Sequence, residues 1–253
     1  MKKNFKPILK SYLGRVFFEF LCHENPSDTI LILEGFPAQS EHPEQIEFLY
    51  KKGYNVIWPH YPGTYQSEGK FLDKNPILEF SEFIDKIQKE ETIINLWDMT
   101  EVKIKSKKLF LFGSSFSGPI CCGVANNLKV DGIVLFSPVW DFSKHNKNGD
   151  EQDLDKLVSF VKRAYKYLFR FEWNSLPERM SNFKECDPDN YIKNLKCPLL
   201  VFHDTHDKSV SFEKTIQMKK LIPPMKIIKS NLGHGMSKIL LKEWKEINEF
   251  LRR

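Results

Sequence analysis

Four short runs in the chain carry almost no polar interruption: Thr29-Ile30-Leu31-Ile32-Leu33, Leu109-Phe110-Leu111-Phe112, Gly132-Ile133-Val134-Leu135-Phe136 and Pro198-Leu199-Leu200-Val201-Phe202. A strand with one wet face alternates polar and apolar residues, so runs like these read as strands covered on both faces. Helical patterns lie between them. Ile46, Leu49 and Tyr50 share a helix face within 44–52, which Gly53 ends, and Ile77, Phe80, Ile84 and Ile87 share another after Pro76, with Ile94 and Trp97 continuing that stripe. Further strands are expected at 15–22, 55–58 and 225–229, and further helices after 118, over 212–221 and along Met236, Leu240, Trp244, Ile247 and Leu251. Strands that alternate with helices predict an α/β fold with a mostly parallel central sheet flanked by helices.

One interval breaks the alternation. From 141 to 196 no strand pattern occurs, while Leu154, Leu157, Val158, Val161, Tyr165 and Leu168 form a helical stripe. A segment this long between two late strands reads as an inserted helical cap. Residues 1–140 and 197–253 then form the core domain, since 253 residues suffice for one full hydrophobic core. Tyr165, Tyr167, Phe169, Phe171 and Trp173 concentrate aromatic surface in the cap and are expected to line an apolar pocket.

The balance of 38 basic and 33 acidic residues gives a formal charge of +5, with lysines scattered along the chain. Scattered charge is a solvated surface, and without an arginine stripe or aromatic-basic interleaving a nucleic-acid partner is not expected. Five cysteines, Cys121 and Cys122 adjacent within an apolar stretch, have no zinc-ligand spacing and read as buried free thiols. The first ten residues have no apolar core of signal-peptide length and no later segment is long enough to span a membrane, so a cytoplasmic location is expected. No cofactor or metal is expected.

The segment most informative about chemistry is Leu109-Phe110-Leu111-Phe112-Gly113-Ser114-Ser115-Phe116-Ser117-Gly118. A serine presented on a sharp strand-to-helix turn needs small residues two positions to either side, and Gly113 and Ser117 meet that need. Ser115 is therefore the candidate nucleophile. A serine hydroxyl attacks poorly without a base. His234, in Asn231-Leu232-Gly233-His234-Gly235, follows the last strand, where catalytic groups of an open α/β sheet collect. His60, His145, His203 and His206 are other imidazoles, but none follows the final strand.

The base requires a carboxylate to fix its tautomer. His203-Asp204-Thr205-His206-Asp207 follows the preceding strand, and Asp207, farther into the loop, is better placed than Asp204, which suits a turn former. Asp141 ranks second as the acid. The clustered His203, His206, Asp204 and Asp207 also admit a metal reading, but the spacing is crowded for a preorganised site. An oxyanion hole would draw on the Phe116 N–H and on the turn Glu34-Gly35-Phe36-Pro37, where proline has no donor and the choice narrows to Gly35 or Phe36; Phe36 is taken.

The order Ser115, Asp207, His234, together with the elbow and the Gly35-Phe36 turn, resembles the α/β-hydrolase family across nearly the whole chain. The loop from Pro62 to Lys70 is similar to small prolyl-oligopeptidase-like and dienelactone-hydrolase-like members. The resemblance implies a serine hydrolase that cleaves a carboxylic ester or thioester of a small-molecule acyl substrate. A peptidase or acyltransferase would use the same triad, and a non-catalytic binding protein could retain the fold. Two positions depart from the family pattern: Glu34 stands where histidine is common, and Ser117 stands where the elbow has its second glycine.

Overall fold

A computed structural model of the protein describes residues 6–37, 42–143, 154–222 and 224–253. In chain order the strands are β1 (Leu9–Leu13), β2 (Val16–Leu21), β3 (Ser27–Leu33), β4 (Asn55–Pro59), β5 (Ile93–Ile94), β6 (Glu101–Val102), β7 (Ser106–Ser114), β8 (Gly132–Phe136), β9 (Leu199–Asp204) and β10 (Met225–Ser230). Eight of them form one sheet in the order β1-β2-β4-β3-β7-β8-β9-β10. From β4 to β10 every neighbouring pair is parallel, and only β1 and β2 run antiparallel to their neighbours.

The helices are α1 (Pro43–Lys51), α2 (Pro76–Gln88), α3 (Ser117–Asn127), α4 (Leu154–Tyr165), α5 (Leu176–Asn182), α6 (Phe212–Leu221), α7 (Ser237–Lys242) and α8 (Trp244–Leu251). Side chains alternate across each strand, which explains the continuous apolar runs. Ile30, Ile32, Phe110, Phe112, Leu200 and Phe202 belong to a core with Ile46 and Leu49 of α1 and Ile239, Leu240, Ile247 and Leu251 of the last two helices. Leu31, Leu33, Leu109, Leu111, Leu199 and Val201 belong to the core on the opposite face, with Ile77, Phe80 and Ile84 of α2 and Ile120 and Val124 of α3. Each such large side chain contributes roughly 1.5–3 kcal/mol when fully buried.

The chain leaves β3 toward one side of the sheet, forms β4, and crosses back to place β7 on the other side of β3. This reversal puts a crevice at the carboxyl ends of β3 and β7, the place where open α/β sheets bind ligands. Glu34-Gly35-Phe36 and Ser115 lie there, since Leu33 pairs in register with Gly113.

Three details differ from the sequence expectations. The α2 stripe stops at Gln88; Glu90 at φ +52° leaves the helical region, Ile93–Ile94 pairs with Glu101–Val102, and Trp97 is 64% exposed. The terminal stripe is two helices, α7 and α8, with Glu243 between them. Strand β1 has too weak an alternation to be read from sequence and is held as an edge by its hairpin to β2.

Between β8 and β9 the described residues form α4, α5 and short 3-10 turns, with no strand. This segment is stitched to the loop after β4. The Tyr65 N–H donates to the Leu168 carbonyl (2.8 Å), Arg170 N–H to Gly63 (2.7 Å) and Phe71 N–H to Arg170 (2.9 Å), and the Arg170 guanidinium donates to the carbonyls of Tyr65, Ser67 and Gly69.

Candidate active site

Ser115 occupies the turn between β7 and α3 at φ +50°, a conformation that costs a non-glycine residue of order 1–3 kcal/mol. Surrounding bonds hold it there: its N–H donates to Phe136 (2.9 Å), and its carbonyl accepts from Gly118 (3.0 Å) and Val139 (2.9 Å). Gly113 is required by space. A Cβ at that position would stand 2.6 Å from Cys121 Sγ and 2.9 Å from Leu135 Cδ2. Ser117, the departure from the usual glycine, is fully buried, and its hydroxyl does structural work. It accepts from the Ser114 N–H (2.7 Å) and donates to the Leu33 carbonyl (2.6 Å), tying the elbow to β3.

The turn after β3 abuts the serine. A Cβ on Gly35 would be 3.2 Å from Ser115 Cβ, tighter than ordinary side-chain contact. The Gly35 N–H is directed to Glu34 Oε2 (3.3 Å), while among the described residues no hydrogen bond takes up the Phe36 or Phe116 N–H. Glu34 Oε1 lies 3.3 Å from His42 Nε2, and the His42 ring stacks on Trp58 at 4.1 Å. Burial pushes the Glu34 carboxyl up to about 7, against the opposing pull of the Gly35 N–H.

His234 Nδ1 is 2.8 Å from Asp207 Oδ2, and the Asp207 carboxylate is fully buried. Burial resists ionisation of Asp207, but the His234 hydrogen bond and the N–H groups of Ser209 (2.8 Å) and Val210 (3.1 Å) overcome it and hold the carboxyl at about 2. Asp204 accepts from His206 N–H (2.8 Å) and from Gly233 N–H (2.8 Å). It therefore forms its own turn and also tethers the loop that carries His234. Sequence reasoning missed this second task, because it depends on strands β9 and β10 lying side by side. Asp141 is instead paired with Lys214 at 2.6 Å.

The other histidines weighed as bases occupy different settings. His206 is exposed, His60 is buried against Phe17 and Tyr65, and His145 lies outside the described residues. His203 is buried behind Asp207, with Nε2 3.6 Å from Asp207 Oδ2. Among the described residues no group of three or more His, Cys, Asp or Glu side chains is arranged to hold a metal ion. All five cysteines are buried and unpaired. No helix among the described residues is long and apolar enough to cross a membrane.

Ser115 and His234 line one cavity of about 610 Å³, together with Glu34, Gly35, Phe36 and Phe116. Its apolar wall includes Val139, Leu157, Phe160 and Met180, and its polar wall includes His42, Ser209 and Lys238. The aromatic residues expected to line the pocket, Tyr165, Tyr167, Phe169, Phe171 and Trp173, do not line this cavity. Leu157, Phe160 and Met180 are the contributions of the 154–196 segment, whereas Phe169 packs on Phe36 and Phe71, Phe171 packs on Phe71 and Trp173, Tyr165 packs on Phe169, and Tyr167 is 86% exposed. Anchoring to the loop after β4 turns Tyr165, Phe169, Phe171 and Trp173 toward the core and leaves Tyr167 in solvent.

The sequence matches no protein-family model and no curated protein. Solved structures match over nearly the whole chain. An esterase of Pyrococcus furiosus is 20% identical with a TM-score of 0.69, covering 98% of this chain and 90% of its own. A monoacylglycerol lipase of Paleococcus ferrophilus is 18% identical with a TM-score of 0.63, covering 93% and 98%. An α/β hydrolase from the metagenome of Mar Chica lagoon sediments is 15% identical with a TM-score of 0.61, covering 96% and 95%.

Proposed function

On this α/β-hydrolase fold, we propose that the chain is a serine hydrolase that cleaves a carboxylic ester or thioester, with Ser115 as nucleophile, His234 as base and Asp207 as the acid that orients it. The observation that carries the reading is the 2.8 Å bond from His234 Nδ1 to the buried Asp207 carboxylate, in the same cavity as a serine held at φ +50°. Asp207 accepts the Nδ1–H, which leaves Nε2 free to take a proton. The esterase and lipase among the similar structures support an ester over other acyl bonds.

Ser115 Oγ attacks the acyl carbonyl while its proton passes to His234 Nε2. The carbonyl electrons move to oxygen, and the Phe36 and Phe116 N–H groups donate to that oxyanion. Collapse of the adduct expels the alkoxide or thiolate, which takes the proton from His234. Water then attacks the acyl-enzyme by the same route in reverse, releasing the acid and restoring Ser115. The apolar wall of Phe36, Phe116, Leu157, Phe160 and Met180 suits a moderately apolar acyl group, and residues 154–196, the described part of the proposed cap, supply part of it.

Labelling with a fluorophosphonate probe tests the reading. Wild type is expected to label and Ser115→Ala is not. An unlabelled wild type indicates a non-catalytic binding protein, and equal labelling of the variant removes Ser115 as the nucleophile. A series of p-nitrophenyl esters of increasing chain length then tests the acyl class, and equal rates at all lengths would exclude a cap-lined acyl pocket.

A further inference from the structure

We infer that His203 is a positioning residue for the site: an uncharged imidazole, fixed in one tautomer by Val210, Thr215 and Trp140, that leaves Asp207 Oδ2 to His234. The inference rests on the triad reading above and adds a fourth side chain with its own supports. His203 Nε2 and His234 Nδ1 approach the same oxygen, at 3.6 Å and 2.8 Å. If His203 carried a charge or aimed its proton at Asp207, the two imidazoles would compete for it.

Hydrogen-bond chemistry decides the tautomer. His203 Nε2 lies 3.1 Å from the Val210 carbonyl, which can only accept, so Nε2 carries the proton and gives it to Val210. Nδ1 lies 2.7 Å from Thr215 Oγ1, and that oxygen already accepts from Trp140 Nε1–H at 2.8 Å. A neutral ring has a lone pair at Nδ1, so the Thr215 hydroxyl donates there, and the chain Trp140→Thr215→His203→Val210 runs in one direction. Val210 closes the arrangement, because its N–H donates to Asp207 Oδ1.

The surroundings favour the neutral form. The ring is fully buried, and burial lowers its proton affinity against the opposing influence of the Val210 carbonyl, Asp207 and Asp204. The groups facing it are Asp204 and Asp207 from its own loop, His234 from the loop after β10, and Thr215 and the edge of Phe212 from α6. Lys229 is its register partner on β10, with its ammonium over the Phe212 ring. Neither Thr215 nor Trp140 lines the cavity of Ser115 and His234, so they can be varied without entering the triad.

Two measurements on the intact protein test this. In ¹⁵N-histidine NMR of wild type, His203 is expected to remain neutral with Nε2–H from pH 5 to 8. A protonated Nδ1, or titration of His203 within that range, overturns the inference, and this readout does not depend on catalysis. Thr215→Val is expected to lower kcat by about tenfold with little change in KM, because His234 loses part of its carboxylate. Thr215→Ser is expected to restore kcat. A lower melting temperature with kcat unchanged would reduce the chain to a structural role and overturn the inference. If Thr215→Val does not fold, the wild-type spectrum still decides. A wild type that shows the expected spectrum yet is not labelled by fluorophosphonate overturns the hydrolase reading alone.

Discussion

The two halves of the site are built by opposite means. The serine side is made by excluding atoms: Gly113 leaves no space for a Cβ, Gly35 leaves only a tight fit, and the strands beneath them are buried on both faces. The acid–histidine side is made by accumulating hydrogen bonds on two loops, with Asp207 accepting from His234, Ser209 and Val210, and Asp204 accepting from His206 and Gly233. The first half should be sensitive to added volume and the second to a lost polar atom. Ser117 is the exception that belongs to both: it fills the elbow's glycine position and uses its hydroxyl as a tie to Leu33.

The largest expected effects remove one functional group from each half without adding volume. Ser115→Ala and Asp207→Asn should each lower ester turnover by about 10⁴-fold while circular dichroism and melting temperature stay close to wild type. If Asp207→Asn retains near-normal turnover, the polar half is not contributing its acid.

The next effect probes the polar group within the serine half. Burial raises the Glu34 carboxyl from 4.5 to about 7, so between those values the folded protein keeps a proton that the unfolded chain releases. Stability should therefore decline as pH rises through that window, by up to about 3 kcal/mol. Glu34→Gln should flatten that decline in urea melts, and an unchanged slope would remove Glu34 as its cause.

Added volume comes third. In Gly113→Ala the new methyl meets Cys121 Sγ and Leu135, which should cost about 1–3 kcal/mol. Pairing it with Cys121→Ala should recover part of that loss in a double-mutant cycle, and strict additivity would rule out the steric contact as the cause.

The smallest effect is on the polar side. Asp204→Asn places an amide N–H against one of two backbone donors, which should cost about 1 kcal/mol and lower kcat several-fold by loosening the His234 loop. Stability loss without a change in kcat would confine Asp204 to its own turn.

Legibility from sequence follows the same division. The elbow can be read from consecutive residues because its constraints are local: a strand run, a positive-φ serine and small neighbours. The paired apolar strands can be read because burial on both faces removes the alternation. The polar half is harder. Asp204 and Asp207 sit on one loop with similar local chemistry, and only the curvature of that loop and its position beside β10 send Asp207 to His234 and Asp204 to Gly233. His203 reads from sequence as one more imidazole, and its bonds to Val210 and Thr215 depend on how the 205–211 loop folds back and how α6 packs against β9.

By itself, the sequence determined the α/β layering, the strands of the sheet's centre and the steric form of the serine turn, because backbone sterics and burial act on neighbouring residues. Tertiary structure alone decided that Asp204 tethers the loop of His234 and which residues of 154–196 reach the cavity. Those choices depend on hydrogen bonds and packing between segments separated by tens to more than a hundred residues. Short-range pattern does not contain the relative placement of such segments. Strand order and helix packing supply it.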